Sequence, residues 1–168
     1  MENELPKRKP TRLQNFDYNT NKAYFITICT ENRRKVLSKI VGVDVLGDPQ
    51  NIELLPHGKI ADKYIKQLNE FYNNVTVDQY VIMPNHIHIL LIVYEDGSPR
   101  TSTPTRQTSA VSHFVSTFKR FCNKDYGGNI WQRGFYDHII RNQHDYENIV
   151  KYIYENPMRW YYDELYEE

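Results

Sequence analysis

A chain of 168 residues, 40% of them hydrophobic, supports one globular core with appendages, and its 21 basic residues balance its 21 acidic ones. The zero net charge excludes capture of nucleic acid by a whole-protein field, so such a partner has to be held by local basic patches. Two cysteines far apart argue against a disulfide framework, no charged-then-apolar leader opens the sequence, and no apolar run reaches the ~18 residues of a membrane span; the expectation is a soluble cytoplasmic protein.

Residues 1–20 are polar and Pro-containing and carry Lys7, Arg8, Lys9 and Arg12, so they read as a basic arm able to touch phosphates. Ala23–Thr30 is rich in β-branched and aromatic residues on both alternating sets, the pattern of a central strand covered on two faces. Ile40–Leu46 and Ile52–Leu55, split by the turn formers of 47–51, predict a small accessory hairpin. From Gly58 to Tyr72 apolar residues recur at steps of three and four, which predicts the first core helix.

Two apolar runs, Val75–Met83 and His86–Tyr94, flank Pro84-Asn85 and predict an antiparallel hairpin. Side chains alternate along a strand, so His86 and His88 share one face while Ile87 and Ile89 share the other. Two imidazoles side by side suit a shared metal ion, and equally two polar residues at the wet end of a strand. Residues 95–108 have the Gly, Pro, Ser and Thr content of a loop. Ser109–Asn123 predicts the second core helix, Ile130–Arg141 a strand with a loop-like start, and Asp145–Asn156 a third helix that Pro157 stops. The aromatic and acidic end, with Asp163 and Glu164, fits either a short packed helix or a loose tail.

Without the accessory hairpin the order is strand, helix, strand, strand, helix, strand, helix. That order predicts an α+β, ferredoxin-like fold: a four-stranded antiparallel sheet with two helices on one face and the other face free for the final helix or a ligand.

The block Met83-Pro-Asn-His-Ile-His88 resembles the His-hydrophobic-His motif of single-tyrosine HUH transposases (IS200-like), and more closely that of REP-associated tyrosine transposases. Similar to that family are also Asp17-Tyr18 with Ala23–Thr30, the segment Ile130–Arg141, and Tyr152-Ile-Tyr-Glu-Asn-Pro157. The chain departs from the family in the loop after Tyr94 and in its acidic end. The resemblance implies a single catalytic domain over 21–168 whose C-terminal helix carries a nucleophilic tyrosine, and a divalent metal, Mg²⁺ or Mn²⁺, held by His86, His88 and a polar residue on that helix. Tyr152 and Asn156 lie four residues apart on one flank, clear of the stripe Ile149, Val150 and Ile153, which agrees with Tyr152 as nucleophile and Asn156 as third ligand.

The implied reaction is cleavage and rejoining of single-stranded DNA at a hairpin or palindrome through a 5'-phosphotyrosine. Monomer and homodimer stay open. Arg8 and Arg12 are expected at phosphates, Arg141 at a phosphate or as plain surface charge, and Trp131 on a base or as a core anchor, with no role assigned to His138. A nucleotide hydrolase with a histidine triad is disfavoured by Leu90 at the third place. The remaining alternative is a catalytically idle ferredoxin-like nucleic-acid-binding protein.

Overall fold

Strand β1 (Lys22–Cys29) is apolar at nearly every position because both of its faces are covered. In the computed structural model, which describes residues 22–42, 51–94 and 110–166, it runs between β5 (His86–Val93) and the short β6 (Tyr136–Ile139). Strand β4 (Val75–Ile82) lies beyond β5, and all three pairings are antiparallel. With α1 (Pro56–Phe71) before β4 and α2 (Ala110–Tyr126) before β6, this is the expected ferredoxin-like α+β arrangement.

Period-two alternation divides the core. Tyr24, Ile26 and Ile28 of β1 and Ile87, Ile89 and Leu91 of β5 point to α1 and α2, where Ile65, Leu68, Phe114 and Phe118 close the main cluster. Phe25 and Leu90 point the other way and meet Ile153 and Trp160. Those two residues belong to α3 (Gln143–Glu155) and to a 3-10 turn over Pro157–Tyr162, so the final helix takes the second face. The Asn142 side chain starts α3 by accepting from the amide of Asp145, and Pro157 marks the switch to the tighter turn.

The accessory hairpin is a separate two-stranded sheet of β2 (Ser38–Val41) and β3 (Asn51–Leu54). It begins two residues before the apolar run because Ser38, though polar, is buried with its hydroxyl donating to the Ile82 carbonyl at 2.8 Å. The strand expected over 130–141 shrinks to four residues: Gly134 turns the chain at φ +80°, and Trp131 makes only an isolated bridge to Thr30. The turn after Pro157 packs through Trp160, which is only 4% exposed. The basic arm and the loop 95–108 lie outside the described residues. Among those described, no helix is long and apolar enough to cross a membrane.

Candidate active site

The Pro84-Asn85 turn is held by the backbone on every side. Met83 N–H donates to His86 O, Leu37 N–H to Pro84 O and Thr30 N–H to Asn85 O, all at 2.9–3.0 Å. The turn therefore delivers His86 and His88 to fixed places on the α3 face, both buried, with their Nε2 atoms 3.0 Å apart. The Asn85 side chain, which the sequence suggested only as a turn former, has a second task. Its amide donates to the Leu165 carbonyl at 2.7 Å, which leaves its Oδ1 to accept from Nδ1–H of His86 at 2.8 Å. That hydrogen bond places the His86 proton on Nδ1 and frees the Nε2 lone pair. The Thr27 hydroxyl is hydrogen-bonded to Nδ1 of His88 at 2.8 Å and holds that ring in place.

Burial pushes His86 down to about 3, helped by the charge of Arg33, and pushes His88 well below the usual imidazole range. Both are thus held in the neutral form a metal needs. Unfolding restores an ordinary affinity for protons, so this contribution to stability is complete above about pH 6.5 and is lost as pH falls toward the folded value. In chelator, stability should fall between pH 6.5 and 5 by up to about 1.4 kcal/mol per pH unit from His86 alone, read as a falling melting temperature. The lowered carboxylates Asp125 and Asp145 act only below that window. A flat melting temperature across it would show that the imidazoles are not kept neutral by the fold.

On α3, the Tyr152 hydroxyl lies 3.5 Å from Nε2 of His88, and its ring meets Phe25 and His88 edge-on at 5.8 and 5.2 Å. Burial and the charge of Asp163 raise the phenol to about 12, while a hydrogen bond with Asn156 opposes the rise. Asn156 corrects an expectation. Four residues from Tyr152 on a flank expected to be clear of the core, it is 2% exposed, because the turn after Pro157 folds back over it. Its amide donates to Asp163 Oδ2 at 2.9 Å, and its buried Oδ1 has no hydrogen-bond partner.

Asp163, which the sequence left in either a packed or a loose acidic end, lies with the histidines. Ligand atoms of His86, His88 and Asp163 all fall within 4.8 Å of one another. An orphaned amide oxygen, two imidazole nitrogens and a carboxylate make a donor set that fits a divalent cation. Nothing in the spacing of the sequence could have brought Asp163 here, since its arrival depends on the break at Pro157.

The other expected contacts divide. Trp131 is 2% exposed and packs on Phe118 and Tyr126, so its ring offers no face to a base; of the two roles expected for it, stacking is corrected and core anchoring is the one observed. Arg141 is exposed beside α3 and remains open to a phosphate. Arg8 and Arg12 lie outside the described residues. His138 pairs with Asp145 at 3.0 Å. Lys119 donates to the carbonyls of Gln132 and Gly134, and burial lowers it to about 8. It fixes the loop that forms one wall of the site.

Fold and site together define a ferredoxin-like α+β protein with a paired-histidine centre under a helix-borne tyrosine. The chain belongs to the IS200-like transposase family, whose description, "Transposase IS200 like", matches residues 18–156. It is 30% identical to an uncharacterised protein of Haemophilus influenzae, over 95% of this chain and 93% of that protein. It is 32% identical to the REP-associated tyrosine transposase of Escherichia coli strain K12, over 49% of this chain and 44% of that protein. A solved structure of a REP-associated tyrosine transposase bound to a REP hairpin shares the fold, with TM-score 0.62 and 23% identity over 89% of this chain and 74% of that one. Membership supports a DNA transposase, an enzyme of strand cleavage and transfer.

Proposed function

We propose that this protein cleaves and rejoins single-stranded DNA beside a hairpin, with Tyr152 as nucleophile. The observation that carries this reading is the Tyr152 hydroxyl at 3.5 Å from His88, on the helix flank that also presents Asn156. The Tyr152 oxygen attacks the scissile phosphorus as the P–O3' bond breaks. The phenol's proton leaves to solvent, the departing 3'-oxygen takes one up, and the 5'-phosphate stays on the tyrosine. A 3'-hydroxyl from another end reverses the step, so the phosphodiester is remade without an external energy source.

His86, His88 and Asn156, with Asp163 alongside, would hold Mg²⁺ or Mn²⁺, which when bound supplies positive charge to a phosphate oxygen. The residues of the chain do the positioning. Asn85 and Thr27 aim the imidazoles, Phe25 packs the nucleophile's ring, and Asp163 orients the Asn156 amide so that its oxygen faces inward. A hairpin substrate is argued from the relative of like fold that holds one, and from the sequence's basic arm.

The test incubates protein, Mn²⁺ and an end-labelled single strand containing a hairpin, then denatures the mixture. A covalent adduct is expected, lost with chelator while most of the strand binding persists. Equal affinity for matched duplex, or no adduct across a randomised strand pool, would favour the idle binding protein. Asn156→Ala should lower Mn²⁺ affinity about 10- to 100-fold by calorimetry. Because Asn156 is buried, it should also cost about 1 kcal/mol of stability through the lost bond to Asp163. Unchanged Mn²⁺ affinity would remove Asn156 from the metal site.

A further inference from the structure

Beside the histidine pair lies a cavity of 820 Å³ whose lining includes Thr27, Cys29, Arg33, His88, Arg133 and Tyr152. Arg33 is held there by an uncommon backbone. Asn32 and Arg33 take φ +53° and +52°, a left-handed conformation that is strained for a residue with a Cβ. The fold keeps the strain by pinning the residues that lead into the turn. Thr30 donates from its amide and its hydroxyl to Asn85 O, both at 2.9 Å, and Glu31 N–H donates to Ile130 O at 2.7 Å. The turn that carries Arg33 is therefore fastened to the turn that carries His86.

Among the described residues the guanidinium so placed has no carboxylate counter-ion within ion-pair distance. Its hydrogen bond runs from Nη1 to Cys29 Sγ at 3.1 Å, a weak acceptor. Asp163 and Glu164 line the same cavity, with Asp163 engaged by Asn156 and by the Leu165 amide. Arg33 lines the same cavity wall as His88 and Tyr152, which places it beside the centre. Strain held at a functional site and a half-buried cation with unused donors both call for an anion supplied from outside.

We propose that Arg33 receives a non-bridging oxygen of the phosphodiester that Tyr152 attacks, fixing the phosphorus in front of the phenol and taking up charge as the bond exchange proceeds. This rests on the strand-cleavage reading above. It adds a phosphate receptor outside the metal-ligand set, drawn from the turn after β1.

The test uses the full chain with Mg²⁺ and two versions of a thymidine tetranucleotide, one with phosphodiester and one with uncharged methylphosphonate linkages. The Arg33 Nε–Hε resonance, assigned by its absence in Arg33→Lys, should shift saturably with the first strand and stay in place with the second. Arg33→Gly relieves the left-handed strain, so it should fold at least as well as the native chain. It should nevertheless bind the phosphodiester strand about 10-fold more weakly, bind the methylphosphonate strand unchanged, and form the covalent adduct about 100-fold more slowly. Arg33→Lys should fall between, keeping the charge without the fork. An Arg33 resonance unmoved at saturation, or Arg33→Gly binding both strands like the native chain, overturns the proposal. If Arg33 engages phosphate but the native chain forms no adduct with any strand, the anion site stands and the strand-cleavage reading fails. If Arg33→Gly forms adduct at the native rate, the reverse holds.

Discussion

Tyr152→Phe is expected to eliminate the covalent protein–DNA adduct, a loss of about 10⁴-fold or more in the rate of strand cleavage, while strand and metal binding persist. Only the attacking oxygen is removed, and the ring keeps its edge-on packing against Phe25 and His88. Two neighbouring tyrosines provide the controls. Tyr154 is 64% exposed and lines a groove between α3 and β4, away from the histidines. Tyr146 donates its hydroxyl to Asp78. Tyr154→Phe and Tyr146→Phe should both retain the adduct, and label should remain with the protein only when it lies on the 5'-phosphate side of the break. An adduct that survives in Tyr152→Phe and vanishes in either control would move the nucleophile to another face of α3. The phenol, raised to about 12, is fully protonated at neutral pH, so the adduct should form faster as pH rises from 7 to 9.

Gly58→Ala is expected to destabilise the protein by about 4 kcal/mol and lower its melting temperature by about 10 °C. A Cβ at this buried position in the first turn of α1 would stand 1.9 Å from the Leu37 carbonyl oxygen. That oxygen cannot easily retreat. It accepts from the Leu55 amide at 2.9 Å, and the amide of the same Leu37 donates to Pro84 O at 3.0 Å. Relief of the clash would therefore pull on the turn that sets His86, so the surviving folded protein should also bind Mn²⁺ more weakly. A melting temperature within a degree of the native one would mean that the first turn of α1 can move aside at little cost.

Much of this architecture is legible in the sequence because it follows from periodicity. The three- and four-residue spacing of Ile65 and Leu68, and of Phe114 and Phe118, marks the helices that close the main core. Alternation along 86–89 sends the two histidines to one face and the two isoleucines to the other, as the core assignments of Ile87 and Ile89 bear out. What was not legible depends on tertiary packing. Asn156 looks like a flank residue on a helical wheel, and only the return of the chain after Pro157 buries it. Asp163 looks like one acid among several at a polar end. Trp131 sits in a block rich in polar residues, yet its bridge to Thr30 turns the indole toward α2. Local pattern says which way a side chain leaves its own element; it does not say what arrives from elsewhere to cover it.

The return of the chain after Pro157 also sets an order of assembly during synthesis. Domains form as the chain emerges from its N-terminal side. The main core draws on residues no later than Trp131, apart from the flanking contacts of Phe135 and Ile139. The proposed centre needs Tyr152, Asn156 and Asp163, and the Leu165 carbonyl that holds Asn85 in place. A nascent chain can thus bury its sheet against α1 and α2 well before it possesses a finished nucleophile and metal set. Chemistry that breaks DNA strands is withheld until the last few residues of the centre have been made, and a fragment ending before α3 would keep the histidine pair without the means to use it.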